Sequence, residues 1–208
     1  TALQAWLDSN GGASATDACS DVVWDNDFNG LSDECGNTGT ATVTFTATDD
    51  CGNSTTTVGT FTIEDNTPPV IDPLAEDVIL ECDGAGNTAE IQAWLDSNGG
   101  ASATDACSDV VWDNNYTGLS DECGETGSAT VIFTVTDDCG NTNTTEATIT
   151  IFDTMVPTIT LEAADATVEC DGAGNVAELQ AWLDSNGGAT ATDECSNVTW
   201  ENDYTQLS

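Results

Sequence analysis

The chain has 208 residues, with 38 Asp and Glu and no Lys, Arg or His, so its formal charge is −38. Without cations it cannot displace counterions from nucleic acid or seek an anionic membrane surface, and Schiff-base, Ser–His–Asp and Cys–His chemistry each lack a required partner. Disorder, the usual reading of a highly acidic chain, fits poorly, because apolar residues reach 38% and tryptophans recur at fixed places.

Those places define a repeat. Gln4–Asn26 returns letter for letter at Gln92–Asn114, and again with a few substitutions from Gln180 to Asn202. Trp6, Trp94 and Trp182 are 88 residues apart, as are Trp24, Trp112 and Trp200, and Cys19, Cys107 and Cys195. The pairs Cys35/Cys123, Cys51/Cys139 and Cys82/Cys170 keep the same step. A fixed period with fixed cysteines predicts one structural unit copied in tandem. The expected division is the later part of a unit at 1–65, a complete unit at 66–153 and the first part of a third at 154–208. The chain therefore reads as a window on a longer array.

Within the complete unit, Pro68 and Pro69 forbid helix and predict a linker or the edge of a first strand. Val78–Cys82 reads as a short strand, and Asp83–Asn87 as a turn. Asn87, with Glu90 three residues on, predicts an N-cap and capping pair. Ile91, Trp94 and Leu95 then share one helical face until Gly99 and Gly100 end the helix. Ala101–Asp105 and Val110–Asp113 read as strands joined by a loop that carries Cys107. Thr130–Asp137 alternates, with Val131, Phe133 and Val135 on one face, and Thr145–Phe152 repeats the pattern with Ala147, Ile149 and Ile151 inward. Short strands with Gly, Asn and Asp turns predict an all-β fold, a small sandwich with one helix inserted after the first strands. No apolar run approaches the roughly 18 residues of a membrane span.

The segments Asp65–Pro69, Glu81–Asn87 (repeated at Glu169–Asn175) and Thr126–Asn141 resemble the hyalin-repeat-like, immunoglobulin-like repeats of giant Bacteroidetes surface adhesins. Some of these adhesins are exported by the type IX pathway and used in gliding. The resemblance implies an extracellular, cell-surface array of Ig-like modules. The helix at Asn87–Gly99 departs from the simplest hyalin repeat.

Four cysteines per unit without histidine predict disulfides in an oxidising compartment and not a zinc site. With Ig-like topology, Cys107 and Cys139 share one end of the sandwich, and Cys82 and Cys123 the other. The pairings expected are therefore Cys82–Cys123, Cys107–Cys139 and, one period earlier, Cys19–Cys51. The rival is local, Cys82–Cys107 with Cys123–Cys139. It asks one bond to span a strand of about eight residues, some 25 Å, where disulfide Cα atoms lie within about 7 Å.

The carboxylates cluster at loop ends. In an Ig-like sandwich Asp65, Asp105 and Asp137 or Asp138 meet at the seam between units, with Asp153 and Asp193 one period on from Asp65 and Asp105. Oxygen-only ligands suit Ca²⁺, as in cadherin junctions, although no EF-hand loop is present. Solvated Asx-turns are the alternative.

Near-identical copies supply length and not a unique pocket. The expected function is thus a non-enzymatic structural stalk or filament segment of an adhesin, stapled by disulfides and stiffened by cations. Its expected partners are neighbouring repeats of the same chain, with lateral self-association as a further possibility, and neither nucleic acid nor an inserted membrane segment. The alternative is that the units themselves bind ligand, with Phe28, Tyr116 and Tyr204 as the candidate surface.

Overall fold

The computed structural model describes residues 1–205; positions 206–208, the end of the expected third stretch, lie outside the described residues. The fold is mainly β. Strands are β1 (Val22–Asn26), β2 (Gly39–Asp49), β3 (Ser54–Ile63), β4 (Val70–Ile71), β5 (Val78–Glu81), β6 (Ala103–Thr104), β7 (Val110–Asn114), β8 (Gly127–Asp137), β9 (Thr142–Phe152), β10 (Thr158–Leu161) and β11 (Thr190–Thr192). Helices are α1 (Ala2–Asp8), α2 (Thr88–Asp96) and α3 (Val176–Asp184), each followed by a 3₁₀ turn on Asn-Gly-Gly.

Contacts divide the chain into two compact units. The first holds Thr1–Pro73, Ser102–Asp113 and Thr134–Thr144; the second holds Leu74–Ala101, Asn114–Phe133 and the chain from Thr145 onward. In the first unit, β1-β2-β3 form an antiparallel sheet, and β4 pairs with β6. In the second, β5 pairs parallel with β9, and β10 pairs with β11. Strands β5-β9-β8-β7 make one four-stranded sheet.

Alternation decides what the long strands bury. Along β8, Val131, Phe133 and Val135 are fully buried; along β9, Ala147, Ile149 and Ile151 are buried too. Thr130 and Thr148 face the other way, and their hydroxyls meet across the strands at 3.0 Å; Thr145 is buried on the inward face and accepts from Ala75 N–H. The same design one period earlier puts Val43 and Phe45 of β2 in a core with Leu7, flanked by Trp6, Trp24 and Phe28.

Helices α1 and α2 each close one such core, whereas α3 buries no residue. In α2, Ile91 and Leu95 are buried one turn apart, while Gln92 donates to Asp96 at 2.7 Å on the outer face. Trp94 stands edge-on to Phe133 with ring centroids 5.3 Å apart, and Trp6 meets Phe45 at the same separation. Both pairs are T-shaped, the arrangement that sets a ring's positive edge against its neighbour's negative face.

The expected capping pair at Asn87 does not form. Asn87 adopts left-handed backbone, and its side chain makes no cap bond. Its amide instead accepts from Asp83 N–H at 3.2 Å and donates to the Glu81 carbonyl at 3.0 Å, knitting the Asp83–Asn87 turn to the end of β5. The competing partner lay on the N-terminal side, as the short amide allows.

Candidate functional site

The chemistry-bearing residues gather in two places, one in each compact unit, where loops of successive sequence copies come together. In the first unit the turn after Cys35 meets the loop carrying Cys107, and Asn37 N–H donates to the Cys107 carbonyl at 2.8 Å. In the second unit the bond is duplicated one period on: Glu125 N–H donates to the Cys195 carbonyl at 2.8 Å. This close approach requires glycine. A Cβ at Gly36 (φ +56°) would fall 2.5 Å from the Cys107 carbonyl oxygen, and one at Gly124 (φ +60°) would collide with the Cys195 carbonyl.

Each seam carries a disulfide, and neither is an expected one. Cys35 pairs with Cys139, Cα atoms 5.1 Å apart, and Cys82 pairs with Cys195, Cα atoms 6.1 Å apart. Cys82–Cys123, Cys107–Cys139 and Cys19–Cys51 are not formed; Cys19, Cys51, Cys107, Cys123 and Cys170 are unpaired. The correction has a geometric cause. The two bonds join the cysteine types of the local rival, but in successive copies. Cys123 and Cys139 bracket β8, whose 11 residues extend about 35 Å. That length forbids bonding within a copy, whereas Cys35 of the preceding copy lies beside Cys139. Two disulfides fit an oxidising compartment.

Around the first seam, inside the first compact unit, several acidic residues lie close together. A carboxylate oxygen of Asp65, one of Asp105 and the Cys107 sulfur all lie within 4.8 Å of one another. Asp137 joins them through Asn141, whose amide donates to the Asp137 carboxylate at 2.8 Å and to the Asp65 carbonyl at 3.1 Å. Asp138 lies beside this group, and its N–H donates to the Ser108 hydroxyl at 3.3 Å. Burial first, then Asp65, Asp105 and Asp137, push the Cys107 thiol above its usual pKa, so it is a weak nucleophile.

Most of these carboxylates also close turns. Asp105 accepts from Cys107 N–H at 2.8 Å, and Asp193 accepts from Cys195 and Ser196 N–H at 3.0 and 2.9 Å. Burial acts to raise the Asp137 pKa, but bonds from the Asn141 side chain and backbone outweigh it and hold it below its ordinary value. In the second seam the Ser196 hydroxyl reaches Asp193 at 2.9 Å and Asp153 at 3.5 Å. One atom has no such employment: among the described residues, Asp65 Oδ2 is buried without a hydrogen-bond partner.

Oxygens of Asp65 and Asp105 fit a hard cation, and the orphaned Asp65 oxygen is the kind of group one would satisfy. The Cys107 sulfur does not belong in a calcium shell. Of the aromatic candidates, Phe28 packs against the Leu7 core, Tyr116 is half-buried and Tyr204 is exposed. No described helix is long and apolar enough to cross a membrane. A scan of protein-family models finds no match to this chain, and a search of curated proteins finds none.

Proposed function

We propose that the chain is a segment of a structural stalk: tandem Ig-like units of a hyalin-repeat-like surface adhesin, extracellular, that hold a binding tip away from the cell. The observation that carries this reading is covalent joining of one copy to the next, at Cys35–Cys139 and again at Cys82–Cys195. Bonds placed between copies resist their separation under tension, which a stalk needs and an isolated binding module does not. Removing whole 88-residue units in register from the surface protein should shorten its projection in electron micrographs by a constant step per unit, with ligand binding retained. Loss of ligand binding on removal of any single unit would favour units that bind directly.

Calcium is proposed as the stiffener of the same seams, on the strength of the Asp65–Asp105 cluster and the unpartnered Asp65 oxygen. Binding to the folded state alone raises stability by mass action. Millimolar Ca²⁺ should therefore raise the melting temperature above that in chelator, and NaCl of equal ionic strength should not. The fourfold change Asp65→Asn, Asp105→Asn, Asp153→Asn and Asp193→Asn should abolish the difference. Equal responses to Ca²⁺ and NaCl, or an undiminished response in the variant, would rule the ion out.

A further inference from the structure

We infer that the five unpaired cysteines are halves of seam disulfides, each completed by a cysteine in a flanking copy of the 88-residue unit. The rule is read from the two bonds present. Cys35 reaches forward 104 residues to Cys139, and Cys82 reaches forward 113 residues to Cys195. The first step is one period plus the 16 residues from Cys123 to Cys139, and the second is one period plus the 25 from Cys82 to Cys107. Applied to the other cysteines, the rule sends Cys123 and Cys170 forward to partners past position 208. It sends Cys51, Cys107 and Cys19 back to partners before position 1. Every cysteine for which the rule names a partner within 1–208 is bonded to that partner, and every other cysteine is unpaired.

The unpaired members are held as the bonded ones are. Cys107 and Cys195 carbonyls accept the same bond at the same 2.8 Å from the copy before. Cys35 and Cys123 sulfurs lie 3.3 and 3.4 Å from the hydroxyls of Thr38 and Thr126. Cys107 is thus a seam cysteine in place, and the Asp65–Asp105–Cys107 grouping is the counterpart of Asp153, Asp193 and a bonded Cys195.

A separate observation points to the same occupant. A cavity of about 550 Å³ is lined by Val168, Leu179 and Trp182. One period earlier the corresponding Leu80, Ile91 and Trp94 sit where β5 joins β9 and Trp94 meets Phe133. Val168 and Trp182 are instead 53% and 37% exposed. A further copy of β8 and β9 fills this space and carries the cysteine that Cys123 requires. Each new bond takes two thiols to one S–S bond, with two electrons and two protons passing to a disulfide oxidant such as oxidised glutathione, itself reduced to two thiols. The inference does not rest on the stalk reading, since any array of these units would obey the same pairing.

Two extended chains test it, refolded in a glutathione buffer, alkylated with iodoacetamide and mapped without reduction. In one, a copy of residues 121–208 follows Ser208 in register. Cys123 and Cys170 should become protected, joined to the added copies of Cys139 and Cys195, while Cys19, Cys51 and Cys107 stay reactive. In the other, a copy of residues 1–88 precedes Thr1. Now Cys51 and Cys107 should be protected, joined to the added copies of Cys35 and Cys82, with Cys19, Cys123 and Cys170 reactive. Continued alkylation of the named pair in either chain overturns the inference. So does pairing inside one copy, covalent dimers in place of internal bonds, or loss of Cys35–Cys139 or Cys82–Cys195 on extension.

Discussion

Phe133→Ala should cost about 3–5 kcal/mol and Ile132→Ala under about 1 kcal/mol, although the two residues are neighbours on β8. Phe133 is fully buried and meets the Trp94 edge, whereas Ile132 is 40% exposed on the opposite face. Truncating the ring removes its transfer free energy and leaves a cavity that β9 and α2 fill only in part. For a unit of this size the loss lowers the melting temperature by on the order of 15 °C or more. Circular dichroism and calorimetry of the two variants give the comparison directly. Similar melting temperatures for the pair would mean that the inward face of β8 has been assigned to the wrong residues.

That inward face was legible because alternation with period two leaves a long strand few choices. Val131, Phe133 and Val135, then Ala147, Ile149 and Ile151, follow from the residue types alone and are buried in the fold. Helix α2 was legible from Ile91 and Leu95 for the same reason. Asn87 was not, because its amide can bond backbone on either side and only the surrounding turn selects which. Asp65 and Asp105 lie close together within one compact unit, and not at a junction between two. The disulfides were not legible. In a repeat, Cys35 and Cys123 are indistinguishable by local sequence, so a cysteine type can be paired correctly and still be assigned to the wrong copy. Cys123 cannot reach Cys139 across the 11 residues of β8, and Cys35–Cys139 is the same kind of bond made between copies.

The Cys35→Ser, Cys139→Ser double variant should lose about 4–5 kcal/mol, the chain-entropy value for closing a loop of roughly 100 residues. The observed separation is 104 residues. A local bond of the Cys123–Cys139 kind, closing about 15 residues, would contribute nearer 3 kcal/mol by the same reasoning. Crossing to the neighbouring copy therefore restrains the unfolded chain more strongly, as well as tying two copies together. The informative control is Cys19→Ser with Cys51→Ser, since both are exposed and unpaired and their replacement should change stability by less than about 0.5 kcal/mol. Had pairing followed the expectation of Cys19 with Cys51, the control would be the costly variant. Urea unfolding of both variants and of the parent, each with and without a phosphine reductant, separates the cases. Reductant should destabilise the parent and the control strongly. It should destabilise the Cys35/Cys139 variant less, because only Cys82–Cys195 remains to be broken. Equal sensitivity of all three proteins to reductant would show that the seam bond between Cys35 and Cys139 does not hold the copies together.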